Sequence, residues 1–171
     1  MKDAESKIIL GIDPGSQVTG WGVIALRAGK WAALDFGCIR TNKDALLSAR
    51  YLSIFEGVIA LIEEFSPDAV SVEDQFVDRF PRSALKLGMA RSSVMIAAAK
   101  KGVPLFTYPP KRAKKAIVGV GQASKEQVQR MMVNLLSLSK IPTPHDAADA
   151  LMLALCHAYS HSNPLQRGKN V

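Results

Sequence analysis

The chain has 171 residues, 48% of them hydrophobic, and a formal net charge of +7. That size and apolar content exclude a disordered chain and predict one domain with a core of its own. No apolar run approaches the ~18 residues of a membrane span, and Cys38 and Cys156 lack the spacing of a disulfide framework or zinc cage. Both cysteines read as small buried thiols in a reducing cytoplasm, and the charged residues 1–5 lack the apolar run of a signal peptide, which predicts a cytoplasmic protein. The charge is segregated: residues 1–78 hold 7 basic and 12 acidic residues, whereas residues 79–125 hold 11 basic and none acidic. A stretch of that length without a carboxylate predicts a polyanionic partner, with nucleic acid foremost.

In chain order, residues 7–13 read as a buried strand ending in Asp13. Pro14-Gly15 follows, a pairing that suits a tight turn. Residues 18–26 and 31–40 are predicted strands, joined by Arg27-Ala28-Gly29-Lys30 as a hairpin. Residues 44–65 are predicted to form an amphipathic helix, because Leu47, Tyr51, Ile54, Phe55, Val58, Leu61, Ile62 and Phe65 recur at intervals of three and four. Residues 69–73 form a short apolar strand ending in Glu73, suited to a central parallel position. Residues 83–101 read as an alanine-rich helix capped by Gly102. Residues 103–108 form the next strand, which Pro109-Pro110 breaks. Ser124 and Gln127 form a capping box for a helix over 125–138. A last helix covers 145–161, and residues 162–171 are predicted to fray as a flexible tail. Three strands of antiparallel type, followed by strands alternating with helices, define an α/β domain over residues 1–161 with a mixed sheet and a right-handed crossover.

Four acids stand out in this plan. Asp13 and Glu73 each end a strand. If those strands are parallel neighbours, both carboxylates emerge at the sheet edge where α/β proteins bind ligands. Asp146 and Asp149 lie three apart on a helix, about 60° around its axis, so both can face one point. Ala147, Ala148 and Ala150 let that helix approach the sheet closely. Four carboxylates at one point call for hard cations such as Mg²⁺ or Mn²⁺, and a pair of such ions is suited to phosphodiester hydrolysis.

Around these acids stand Ile12-Asp13-Pro14-Gly15-Ser16, Val18-Thr19-Gly20-Trp21-Gly22, Gly37-Cys38-Ile39-Arg40-Thr41 and Val72-Glu73 with Phe76. Ser83-Ala84-Leu85-Lys86-Leu87-Gly88, Val118-Gly119-Val120-Gly121 with Lys125, and Asp146-Ala147-Ala148-Asp149-Ala150-Leu151 complete the set. In this order, over residues 7–161, the sequence resembles the RuvC family of Holliday junction resolvases in the RNase H-like superfamily. The resemblance implies an RNase H-like fold, a mixed five-stranded sheet flanked by helices. It implies a homodimer that nicks two strands of a four-way DNA junction, leaving 5′-phosphate and 3′-hydroxyl ends, in recombination and repair. It also implies a cofactor, Mg²⁺, at two ions per subunit with Mn²⁺ as a substitute, and the RuvAB branch-migration complex as a partner. By the resemblance, Asp13, Glu73, Asp146 and Asp149 are the catalytic and metal-binding residues, Phe76 stacks on bases, and Lys114 and Lys125 lie beside the scissile strand. The dimer contact falls on the helix over 83–101, with Met89, Val94, Met95, Ile96 and its alanines. Charge adds Arg79, Lys86, Lys111, Arg112 and Lys115 as DNA-contacting residues. His145 reads as a helix-start surface residue or an aid to the metal site, Phe80 as loop packing or a second wedge, and His157 and His161 as structural or exposed. Two rivals, half of an actin-like ATPase and a non-catalytic junction binder, fit less well: the chain is short for the first, and the acids serve no purpose in the second.

Overall fold

A computed structural model describes residues 7–74, 81–162 and 169–170. The strands are β1 (Ile8–Asp13), β2 (Val18–Arg27), β3 (Lys30–Arg40), β4 (Ala69–Glu73), β5 (Leu105–Tyr108) and β6 (Lys169–Asn170). The helices are α1 (Leu47–Phe65), α2 (Pro81–Lys100), α3 (Pro110–Val118), α4 (Lys125–Leu136) and α5 (His145–Ser162). The sheet order is β3-β2-β1-β4-β5-β6. β1, β2 and β3 form an antiparallel meander, while β4 pairs parallel with both β1 and β5. The Arg27–Lys30 turn places Ala28 and Gly29 at φ 48° and 77°, the positive values that a two-residue hairpin loop of right-handed twist requires.

The alternation of each strand divides the core in two. Leu10, Ile12, Val23, Val70 and Val72 face α1 and α2, with Ile54, Val58, Val94 and Ala97 opposite them. Ile9, Ile24 and Tyr108 face α5, α4 and α3, with Leu151, Leu155, Met132 and Ile117 opposite. On this second side the strands offer glycines to α5. A Cβ at Gly11 would lie 1.9 Å from the Ala150 carbonyl oxygen, and one at Gly20 would lie 2.0 Å from that of Asp146. The helix therefore rests on bare backbone, and Ser71 Oγ donates to the Leu153 carbonyl at 2.8 Å to fix it further along.

Four details depart from the sequence expectations. The basic segment after Pro109 forms α3, with Pro110 at its start and Gly119 as a left-handed cap. α1 begins at Leu47 rather than residue 44, because Asn42 binds the Asp44 N–H with its side chain and the Ala45 N–H with its carbonyl, closing a turn first. The five expected strands gain a sixth, because Lys169 and Asn170, within the expected tail, pair antiparallel with Thr107 and Phe106. Cys156 is buried as expected, but Cys38 is only half-buried. Among the described residues no helix is long and apolar enough to cross a membrane.

Candidate active site

Asp13 ends β1 and Glu73 ends β4. These strands are parallel neighbours in the register Ile12↔Val72, so the two acids are the next residues side by side at the carboxyl edge. Asp13 also pairs across β2 with Gly20, the glycine on which Asp146 is seated. α5 therefore delivers its first turn to the end of β1, with Asp149 one turn further along. All four acids are partly exposed, with packed backbone behind them.

Electrostatics couple Asp13 to the other three. The carboxyl of Asp13 is held well above the ordinary value, first by burial and then by repulsion from Glu73, Asp149 and Asp146; Lys125 acts in the opposite sense. Burial also raises Asp149, opposed by Lys114 and Lys125. Such a cluster is short of positive charge, and its donors are hard oxygens, so the residues present fit divalent cations of the Mg²⁺ type. Among the described residues, no group of three or more His, Cys, Asp and Glu side chains lies close enough together to hold a metal ion as it stands. The acids lie within electrostatic reach of one another without converging at ligand distance.

The basic residues divide into three groups. Lys114 and Lys125 act on the acids. Lys114 bears on Asp149 while its Nζ donates to the Ala123 carbonyl at 3.2 Å. Lys125 is the first residue of α4, where the helix dipole disfavours a cation. Its placement there sacrifices local helix stability to bring charge beside Asp149. Lys111, Arg112 and Lys115 line a separate cleft with Ala116 and Ser160. Ser160 follows Asp149 by eleven residues of α5, about 16 Å along the axis. Lys86 is exposed near the start of α2, on the α1–α2 side of the sheet. Phe76, Arg79 and Phe80 lie outside the described residues.

Three further residues stand close to the acids. His145 is half-buried at the start of α5, and its Nδ1 is buried with no hydrogen-bond partner. Its ring is near enough to Asp149 to lower the pKa of that carboxyl, and it acts on Glu126 as well. The Cys38 thiol is raised, chiefly by burial and then by Asp146, which places it at the rim. Arg50 is buried at the start of α1 beside the turn that follows Asp13. Its sequence signal is an arginine one turn before Ile54 in the apolar stripe of a helix, where an aliphatic side chain is the norm.

A mixed sheet crossed by a helix, with acids from two strand ends and a helix start meeting at one edge, defines a nuclease of the RNase H-like class. A family model, crossover junction endodeoxyribonuclease RuvC, matches residues 9–157. A crossover junction endodeoxyribonuclease RuvC from Protochlamydia amoebophila is 54% identical over 151 residues, 88% of this chain and 90% of its own length. The Thermus thermophilus RuvC structure superposes with a TM-score of 0.84 at 35% identity, covering 96% of this chain and 99% of that one. T. thermophilus RuvC in complex with Holliday junction substrate gives a TM-score of 0.87 at 36% identity, with the same coverage. The chain belongs to the RuvC family of crossover junction endodeoxyribonucleases. The family is one of metal-dependent nucleases.

Proposed function

We propose that this protein resolves four-way DNA junctions by paired hydrolysis of phosphodiester bonds, leaving 5′-phosphate and 3′-hydroxyl nicks, as a homodimer. The observation that supports this reading is the gathering of Asp13, Glu73, Asp146 and Asp149 at one sheet edge within electrostatic reach of one another, with Lys125 bearing on Asp13 and Lys114 and Lys125 on Asp149. Asp13, Glu73, Asp146 and Asp149 would hold Mg²⁺, two ions per subunit, with Mn²⁺ as a substitute. The chemistry such ions supply is stabilisation of charge on the attacking and leaving oxygens of an in-line displacement.

The chain's own residues set the rest. Lys114 and Lys125 hold the phosphate to be cut and offset the negative rim that would otherwise repel it. Lys111, Arg112 and Lys115 bind backbone phosphates farther along an arm of the junction, and Lys86 and Arg79 take another arm. Phe76 stacks on an unpaired base at the crossover, worth about 1–3 kcal/mol. Paired cuts on a symmetric substrate call for a two-fold protein. α2 supplies a surface for it: Leu85, Met89 and Ile96 are exposed along one side of the helix, while Ala90, Val94 and Ala97 anchor the other in the core. The protein acts in the cytoplasm in recombination and repair, with the RuvAB branch-migration complex as partner.

The test is a labelled four-way junction incubated with Mg²⁺ or EDTA, with linear duplex as control. Wild type cuts only the junction and only with Mg²⁺. Asp13→Asn and Asp149→Asn bind the junction with wild-type affinity and lose cleavage by about a thousandfold or more. Wild-type cutting by either variant removes that carboxylate from the active site.

A further inference from the structure

Arg50 is 7% exposed, in the first turn of α1. A buried guanidinium is costly unless its N–H groups find acceptors. Among the described residues no carboxylate forms an ion pair with it. Instead its Nε donates to the Ser16 carbonyl oxygen at 3.0 Å and to Thr41 Oγ1 at 3.3 Å. Its Nη2 donates to the same carbonyl and reaches Ser16 Oγ at 3.4 Å. The Thr41 hydroxyl donates to that carbonyl as well, at 2.8 Å, and the Thr41 N–H donates to the Gln17 carbonyl at 3.0 Å. Three donors thus meet on one carbonyl oxygen, three residues after Asp13.

The turn they hold has two halves. Its inner half closes on itself: Thr19 Oγ1 donates to the Gly15 carbonyl at 2.9 Å, and a Cβ at Gly15 would lie 2.1 Å from the Val18 carbonyl oxygen. Its outer half is held by α1 and the end of β3 through Arg50 and Thr41. A fork of charged donors resists rotation of that peptide more strongly than hydroxyls do.

We propose that Arg50 is a positioning residue for the nuclease site. It locks residues 14–17 and through them sets where the carboxylate of Asp13 points, touching neither the DNA nor the metal. This rests on the metal site proposed above. The experiment compares full-length wild type, Arg50→Met, Arg50→Lys, Thr41→Val and Asp13→Asn, each at a temperature where thermal unfolding shows it folded. Mn²⁺ binding is read by electron paramagnetic resonance without DNA, junction affinity in EDTA, and single-turnover cleavage against Mg²⁺ concentration. Arg50→Met weakens Mn²⁺ binding and raises the Mg²⁺ midpoint of cleavage by about tenfold, the scale seen when groups orienting a metal ligand are removed. Its junction affinity in EDTA stays within about twofold, a difference under half a kcal/mol. Arg50→Lys and Thr41→Val fall between it and wild type.

A folded Arg50→Met with a wild-type Mn²⁺ midpoint overturns the proposal, and if it has also lost junction affinity in EDTA, Arg50 is a DNA contact. Should Arg50→Met fail to fold, wild-type midpoints in both Arg50→Lys and Thr41→Val overturn it instead. If Asp13→Asn titrates Mn²⁺ as wild type does, the metal site itself is misplaced and the proposal falls with it. If Asp13→Asn loses Mn²⁺ and Arg50→Met does not, only the role of Arg50 falls.

Discussion

At its N-terminal end α5 sets Asp146 and Asp149 near Asp13, whose carboxyl is raised by burial first and then by repulsion from Glu73, Asp149 and Asp146, with Lys125 in opposition. At its C-terminal end the same helix buries His157, 4% exposed, against Tyr108, Phe106 and His161. Its Nδ1 shares a 2.8 Å hydrogen bond with Tyr108 Oη, and its ring lies against Phe106 and His161 at centroid distances of 4.6 and 4.1 Å. One end leaves its charge to be balanced from outside the chain; the other completes its hydrogen bonding within it. The difference shows that a buried polar group is informative through its partners rather than its burial: a satisfied imidazole is architecture, and a crowded carboxylate is a site.

The comparison breaks first if α5 is not seated on the strands. Gly11→Ala places a methyl group against the Ala150 carbonyl, where a rigid helix backbone cannot yield, and costs about 3 kcal/mol. Urea unfolding measures it, and junction cleavage falls alongside because the N-terminal acids shift with the helix. A variant as stable as wild type disproves the seating.

A smaller effect sharpens the C-terminal half. Burial, then the charges of His161 and Lys7, pushes His157 down to about 3. The unfolded chain therefore binds a proton below about 6.5 that the folded one refuses, so stability falls with pH from there until about 3. Between pH 7 and 5 this removes about 2 kcal/mol. His157→Gln lacks that component, so its urea midpoint changes less than wild type over the same interval. Parallel losses in the two proteins place the titration elsewhere.

The smallest effect separates the two basic groups. Lys114→Ala and Lys111→Ala each lower the salt dependence of junction binding by about one unit of slope. Lys114→Ala alone also slows single-turnover cleavage of bound junction, because only Lys114 bears on Asp149. Equal slowing in both variants merges the groups.

Much of this is legible in the residues themselves. The strands are short apolar runs bounded by turn residues, and the acids at their ends mark one edge once β1 and β4 are parallel. The capping box of Ser124 and Gln127 forms as its spacing predicts. α3 is not legible by periodicity, because only Ala113 and Ile117 of its nine residues are buried, and Pro109-Pro110 signals a strand end more strongly than a helix start. The separation of Lys114 from Lys111 is likewise invisible, since a charge count treats neighbours alike; the two share a helix face and differ in what they meet, the Ala123 carbonyl for Lys114 and the cleft beside Ser160 for Lys111. The partnership of His157 with Tyr108 spans 49 residues, and no local pattern encodes which polar groups will meet across a core.

The glycines under α5 have a mechanical consequence. Gly11 and Gly20 put main chain against main chain, so the spacing between the backbones that carry the strand-borne and helix-borne acids is fixed by peptide geometry. Side chains behave as springs that neighbours can compress; a stack of peptides behaves as a machinist's gauge block. A single methyl group beneath the helix therefore throws off the calibration of the cutting edge.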